Sequence, residues 1–249
     1  MLLHGIGSHW QAWEPVLDAL AAEHEVWALD LPGFGASPPL PAGERHDVPG
    51  LTAAVRAFCA AHAIERPHVC GWSTGGGIAL ELAAAGDVAS VCAIAPIGFW
   101  SARERAYSQV SLKISLAVAG ALRPVVPALV GNPVGRTMLF GQVYAKPWRV
   151  DPADCVATLD ALLGATAFDE TLASFDGYLA PADAADDVPV TIVWGARDRL
   201  LLPRQARRAQ RRLPKARHVL IAGAGHAAVA DDPAATAQVV LAAAAAPTR

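Results

Sequence analysis

His68-Val69-Cys70-Gly71-Trp72-Ser73-Thr74-Gly75-Gly76-Gly77 is the stretch whose reading decides the fold. A short apolar run enters Gly-x-Ser-x-Gly, and an Ala/Leu-rich pattern of helical period leaves it from Ile78 to Ala85. The order is strand, sharp turn, helix. In that setting a serine stands as a nucleophile at the tip of a strained elbow. Strand and helix pass so closely that side chains two residues before or after the serine would collide, and glycine occupies both places, at Gly71 and Gly75. A glycine-rich turn of a nucleotide-binding fold is the competing reading of the same letters.

Upstream of the elbow, Met1-Leu2-Leu3 reads as the end of a strand, followed by the glycine-rich loop His4-Gly5-Ile6-Gly7-Ser8. Gln11 to Glu23 has helical period, with Trp13, Val16, Leu17 and Leu20 on one face. Glu25 to Leu31 reads as a strand and Asp47 to Ala63 as a helix. Gly33-Phe34-Gly35 resembles half of a dinucleotide loop, but its third glycine would fall on Pro38 and no helix opens there. Downstream, Val88 to Ala95 is another strand. Strands alternating with helices predict an α/β fold with a mostly parallel sheet flanked by helices.

The alternation stops at Ile97. As far as about Ala182 only helical patterns occur, near Ala102–Leu122, Pro152–Leu163 and Phe168–Leu179, punctuated by Pro124, Pro127, Pro133 and Pro147. This predicts a helical cap, residues 97–182, inserted into a core of residues 1–96 and 183–249. The alternation resumes with a strand at Val190–Gly195, a helix from Pro203 to Leu213, a strand at His218–Ala222 and a closing helix from Pro233 to Ala245.

A composition of 53% hydrophobic and 17% charged residues describes a globular domain with a large core. A net charge of −3 gives no global pull toward nucleic acid or acidic membranes. Cys59, Cys70, Cys92 and Cys155 form no Cys-x-x-Cys pair and read as reduced thiols. No leader pattern precedes His4, so the expected compartment is the cytoplasm. The longest apolar region, Val110 to Gly131, is broken by Lys113, Arg123, Pro124 and Pro127, and no membrane span is expected from it. The reading assigns no metal ligands and no cofactor.

A nucleophilic Ser73 needs a base, and the base needs an orienting acid. Of eight histidines, His226 stands apart, in the loop Gly223-Ala224-Gly225-His226 just after a strand and before a helix. In a parallel sheet that is the carboxyl edge, where Ser73 also stands. Asp198 follows the strand that ends at Gly195 and is at the same edge, whereas Asp186 and Asp187 precede that strand. Ser73, Asp198 and His226 are therefore the expected catalytic residues. The oxyanion needs backbone donors. Thr74 supplies one at a helix N-terminus, and Ile6, in the loop after the first strand, is the natural second. For His4 the favoured reading is structural, a ring that holds this loop by hydrogen bonds.

A substrate pocket is expected between elbow and cap, lined by apolar residues such as Ile97, Phe99, Trp100, Leu139 and Phe140. Trp72 either lines the acyl pocket or fills the core beneath the cap. Arg204, Arg207, Arg208, Arg211, Arg212 and Lys215 recur at helical spacing. They read as a solvated face, with docking of an acidic partner such as an acyl carrier protein as the alternative.

On these residues the chain resembles the α/β-hydrolase fold superfamily. His4-Gly5-Ile6-Gly7, Asp30-Leu31-Pro32-Gly33-Phe34-Gly35-Ala36-Ser37, Gly71 to Gly76, Gly195 to Asp198 and Gly223 to His226 run in that family's order and cover nearly the whole chain outside the cap. The resemblance implies a hydrolase with a serine nucleophile, which sets it apart from the haloalkane dehalogenases and epoxide hydrolases of that family, where aspartate attacks. The expected reaction is cleavage of a carboxylic ester or thioester with a small or medium apolar acyl group, through an acyl-enzyme. A carbon–carbon bond hydrolase or cofactor-free perhydrolase on the same triad is the alternative, and a non-catalytic binding module is a third. The family usually places two more strands, as an antiparallel edge, before the first strand seen here. The expectation is that Met1 is not the natural start or that this edge is missing, with the His4–Gly7 loop hanging near a fraying end.

Overall fold

Six strands form one sheet in the computed structural model, which describes residues 1–246. They are β1 (Leu2–Leu3), β2 (Ala28–Leu29), β3 (His68–Trp72), β4 (Ser90–Ile94), β5 (Val190–Gly195) and β6 (Arg217–Ile221), in the order β2-β1-β3-β4-β5-β6. Every pairing is parallel. β4 and β5 are buried along their whole length, which is why they read as unbroken apolar runs rather than alternating ones. From β1 the chain steps outward to β2, then returns to β3 and proceeds the other way to β6. The reversal puts the carboxyl ends of β1 and β3 side by side, with Leu3 opposite Gly71.

Helices α1 (Glu14–Ala21), α2 (Val48–Ala61) and α3 (Thr74–Ala84) belong to the first half of the core. After β4 come α4 (Ala102–Leu122), α5 (Val126–Val130), α6 (Pro133–Phe140), α7 (Pro152–Gly164) and α8 (Phe168–Ala173). The chain ends with α9 (Arg204–Arg212), α10 (Ala228–Asp231) and α11 (Pro233–Ala244). α2 and α3 pack together on one face of the sheet, and α1 and α11 on the other. Among the described residues, the stretch between β4 and β5 holds helices and no strand.

Several elements differ from the reading of the sequence. The helix expected over Gln11–Glu23 is a 3-10 turn, Trp10–Trp13, followed by α1. The strand expected over Glu25–Leu31 is paired only at Ala28–Leu29. α5, α6 and α10 were not anticipated. Pro127 and Pro133 looked like breaks, yet each sits in the first turn of its helix, where a missing N–H is no loss. Asn132 then caps α6 by accepting from Val134 N–H at 2.8 Å.

The basic helix α9 is not simply a solvated face. Glu104, in the first turn of α4, is buried and accepts from the guanidiniums of Arg204 and Arg208. Arg208 also donates to the Phe99 carbonyl, and Arg212 to the Ala180 carbonyl, both at 2.6 Å. Burial pushes the Glu104 carboxyl up, but hydrogen bonds from Ser101 and the arginines outweigh it and hold the group below the usual carboxylate range. Successive turns of α9 therefore fasten the two ends of the helical segment to the core, while Arg207 and Arg211 remain exposed.

Candidate active site

The elbow is set by steric demand. Ser73 has φ 57° and ψ −112°, a left-handed conformation that costs a non-glycine residue on the order of 1–3 kcal/mol. It is fixed from both sides. Its N–H donates to the Ile94 carbonyl at 2.9 Å, and its carbonyl accepts from Gly77 N–H at 3.1 Å and Ile97 N–H at 3.2 Å. A Cβ on Gly71 would overlap the Gly75 carbonyl, and a Cβ on Gly75 would overlap the carbonyls of Leu3 and His4. The second glycine thus lets α3 abut the end of β1.

That contact brings the His4–Gly7 loop onto the serine. A Cβ on Gly5 would lie 3.1 Å from Ser73 Cβ and 3.6 Å from Ser73 Oγ. The loop expected to hang loosely is tied down by His4, which is wholly buried. Its Nε2 accepts from Leu31 N–H at 3.0 Å, so Nδ1 carries the proton and donates to the Gly5 carbonyl at 2.7 Å. Burial pushes the His4 pKa down to about 4, which keeps the ring neutral. Gly75 N–H donates to the His4 carbonyl at 3.1 Å. Among the described residues, the N–H groups of Ile6 and Thr74 donate to no protein acceptor. Asp30 braces the next loop by accepting from Trp10 N–H at 2.7 Å and Ala36 N–H at 2.9 Å.

Asp198 and His226 come together at the ends of β5 and β6. Their loops are joined by Ala196 N–H to the Ile221 carbonyl, 3.0 Å, and Arg197 N–H to the Ala224 carbonyl, 2.9 Å. Both side chains are buried, and His226 Nδ1 lies 2.8 Å from Asp198 Oδ2. The other carboxylate oxygen accepts from Leu200 N–H at 2.9 Å and Leu201 N–H at 2.8 Å. A carboxylate in that position only accepts, so Nδ1 carries the imidazole proton and Nε2 has a free lone pair. Trp72, next to the serine, donates from its indole to the His226 carbonyl at 2.8 Å, with the rings 5.4 Å apart. The residue read as pocket wall or core filler thus links the elbow to the histidine loop.

Sequence reasoning missed Asp231. This acid is buried, and it accepts from Gly225 N–H and Ala145 N–H at 2.7 Å and from Lys146 N–H at 2.8 Å. Ala227 N–H donates to the Val143 carbonyl at 3.1 Å. The turn that carries His226 is therefore stitched to the end of the α6 segment. The available signal was a pair of carboxylates, Asp231 and Asp232, closing the apolar run Ala227-Ala228-Val229-Ala230.

The six apolar residues expected to line a pocket divide between two core clusters. Ile97, Phe99 and Trp100 belong to the core cluster with Phe34 and Phe168, while Trp72, Phe140 and Leu139 belong to the cluster on the other face. Phe99 packs edge-on to Trp194, and Trp100 packs on Phe175. Two residues not singled out from sequence, Leu162 and Phe168, reach the His4–Gly7 loop. A Cβ on Gly7 would lie 2.5 Å from Leu162 Cδ1 and 3.2 Å from Phe168 Cε2. No signal in the sequence marks them, because both sit in ordinary helical patterns.

The family model for the alpha/beta hydrolase family matches residues 1–239. The chain belongs to the alpha/beta hydrolase family. Among curated relatives, this chain is 33% identical, over 91% of its length, to the dihydrolipoyllysine-residue acetyltransferase component of the acetoin cleaving system of Cupriavidus necator. It spans 58% of that relative's length. It is 28% identical to the pimeloyl-[acyl-carrier protein] methyl ester esterase of Aeromonas hydrophila subsp. hydrophila, over 91% of this chain and 87% of the relative. Among solved structures, the enol-lactonase of Burkholderia xenovorans LB400 superposes with a TM-score of 0.76 at 20% identity, covering 98% of this chain and 90% of that one. At that identity the likeness concerns the fold.

Proposed function

We propose that this hydrolase cleaves carboxylic esters or thioesters by acyl transfer through Ser73. The observation that carries the reading is the buried Asp198–His226 hydrogen bond, joined through Trp72 to a serine held at positive φ. Ser73 Oγ attacks the acyl carbonyl, and His226 Nε2 takes its proton. Asp198 holds the tautomer and balances the imidazolium that forms. The free amides of Ile6 and Thr74 receive the oxyanion, Thr74 with the added field of the α3 N-terminus. The imidazolium returns its proton to the leaving group, and water then hydrolyses the acyl-enzyme by the same route.

Two relatives are named for an acetyltransferase component and for an esterase of a carrier-bound acyl chain, and both names describe acyl transfer. They support an acyl ester or thioester as substrate, with a carrier-bound acyl group as one form it takes. The apolar side chains of Leu162 and Phe168 over the loop favour an acyl chain longer than acetate. Each buried methylene contributes about 0.8 kcal/mol.

Labelling with a fluorophosphonate, followed by nitrophenyl esters from acetate to octanoate, tests the reading. Label should appear on Ser73, and kcat/KM should rise from acetate toward the medium chains. Ser73→Ala should fold normally, take no label and lose several orders of magnitude in kcat. Ester turnover near the wild-type rate in that variant would refute the assignment, and a flat chain-length series would refute the apolar acyl site.

A further inference from the structure

α4 is apolar on two faces. Leu112, Leu116 and Ala119 pack toward the core beside Ser108, Ser111 and Ser115, while Tyr107, Val110, Ile114 and Val118 form a second stripe on the outer side. Val110 is 58% exposed and Ile114 57%. The spacing of three and four residues keeps the stripe on one face. The Gln142 amide at the end of α6 donates to the Tyr107 hydroxyl, so the two helices adjoin, and on α6 Met138 is 82% exposed. A stretch of 18 residues within Ala102–Val130 has the mean hydropathy, 1.5, of a membrane-crossing helix, yet only 17% of it is buried. A soluble core helix of such composition turns this face inward.

The charge of the same segment is one-sided. Residues 102–150 hold seven Lys and Arg and a single acid, Glu104; the rest of the chain holds thirteen basic residues and twenty-two acids. Glu104 is buried against α9, so every exposed formal charge on this segment is positive. A net charge of −3 for the whole chain conceals this asymmetry.

We propose that the outer face of α4 docks flat on an anionic phospholipid bilayer, with Val110, Ile114 and Val118 at the acyl boundary and Lys113 and Arg103 among the headgroups. An interfacial helix binds by apolar area together with attraction to anionic lipid, and this face offers both. Lysine in the middle of an apolar stripe suits a bilayer, because its stem lies along the apolar surface while the ammonium reaches the phosphates. It does not suit a second copy of the chain, since a two-fold contact centred on the stripe sets Lys113 against Lys113. An acidic protein partner needs clustered cations, and Arg103 and Lys113 are ten residues apart with apolar side chains between them. Pro124 and Pro127 break the segment, and the helix lies in the interface rather than crossing it. The inference is independent of the proposed activity, because its test reads binding.

The test is co-sedimentation of the full chain with vesicles of phosphatidylcholine and phosphatidylglycerol in equal parts, and with vesicles of phosphatidylcholine alone. Circular dichroism and the melting temperature verify folding of each variant. The wild type should pellet with the mixed vesicles at low salt and be released in 1 M salt, where the screening length falls to about 3 Å. Ile114→Asp should lower the bound fraction about ten-fold. Lys113→Glu should abolish the preference for anionic vesicles. Failure of the wild type to pellet, or binding at the wild-type level by either folded variant, overturns the proposal. It is also overturned if sedimentation velocity finds a dimer that Ile114→Asp dissolves while no vesicle binding occurs. Capture by an acidic carrier protein without vesicle binding has the same consequence.

Discussion

The elbow and α4 are neighbours in sequence and opposites in construction. From Val69 to Leu80 every residue is buried, and backbone meets backbone with no room for a Cβ at Gly71 or Gly75. Along α4, Leu112 and Leu116 pack toward the core while Val110, Ile114 and Val118 face out, and the helix is held at its start by one carboxylate between two guanidiniums. The first region is determined by steric exclusion, which tolerates nothing. The second is attached by polar fastenings and one half-buried apolar row, which are more tolerant of change. The proposed chemistry, which needs sub-ångström placement, falls on the first, and the proposed bilayer contact on the second.

The contrast predicts large losses from the core. Asp198→Asn keeps the shape but lets His226 turn to the wrong tautomer, and kcat should fall on the order of 10⁴ with the melting temperature little changed. A loss below ten-fold would mean that His226 is not oriented by Asp198. Gly75→Ala should cost about 3–5 kcal/mol in denaturant unfolding, because its Cβ meets the backbone of Leu3 and His4, which has no other place to go. Near-neutral behaviour would show that β1 can yield.

His4 gives the core a pH dependence. The folded pKa, about 4, lies below the ordinary value of 6.5, so the unfolded chain binds the proton more readily between the two. The stabilisation is fully present above about pH 6.5 and is lost as pH falls toward 4, by roughly 3 kcal/mol. Urea midpoints at pH 7.5 and 4.5 measure it, and the acid loss should be smaller by that amount in His4→Gln. Equal losses in the two proteins would mean that His4 binds its proton as readily in the folded chain as in the unfolded one.

The fastenings of the helical segment should matter less. Asp231→Asn leaves three N–H donors sharing one carbonyl oxygen, and the His226 turn should lose its fixed position. We expect kcat to drop about ten- to a hundred-fold with the Asp198–His226 pair still present. An unchanged kcat would show that the turn is held by β6 alone. Glu104→Gln should be the mildest, about 1 kcal/mol, since Arg204 is half exposed and can rehydrate. Its signature is a raised KM with kcat retained; a kcat loss instead would place α4 closer to the chemistry than its contacts imply.

Local rules were enough to read β3, α3, β4 and β5 from the sequence, along with the places of Ser73, Asp198 and His226 in their loops. A glycine pair around a serine, an unbroken apolar run and a loop at a strand's end each depend on neighbours within a few residues. The structural reading of His4 was also available from its loop. The tertiary structure alone decided what those loops touch. The bond from Trp72 to the His226 carbonyl joins residues 154 positions apart, and that from Ala145 to Asp231 joins residues 86 apart. No pattern in either segment refers to the other. The same holds for α9, whose arginines look solvated until Glu104 is folded against them. It also holds for α4, where composition gives a helix but only packing decides which face is left outside. Periodicity records the local geometry of a chain; the partner of a buried charge and the facing of a weakly amphipathic helix are set by contacts that close long loops.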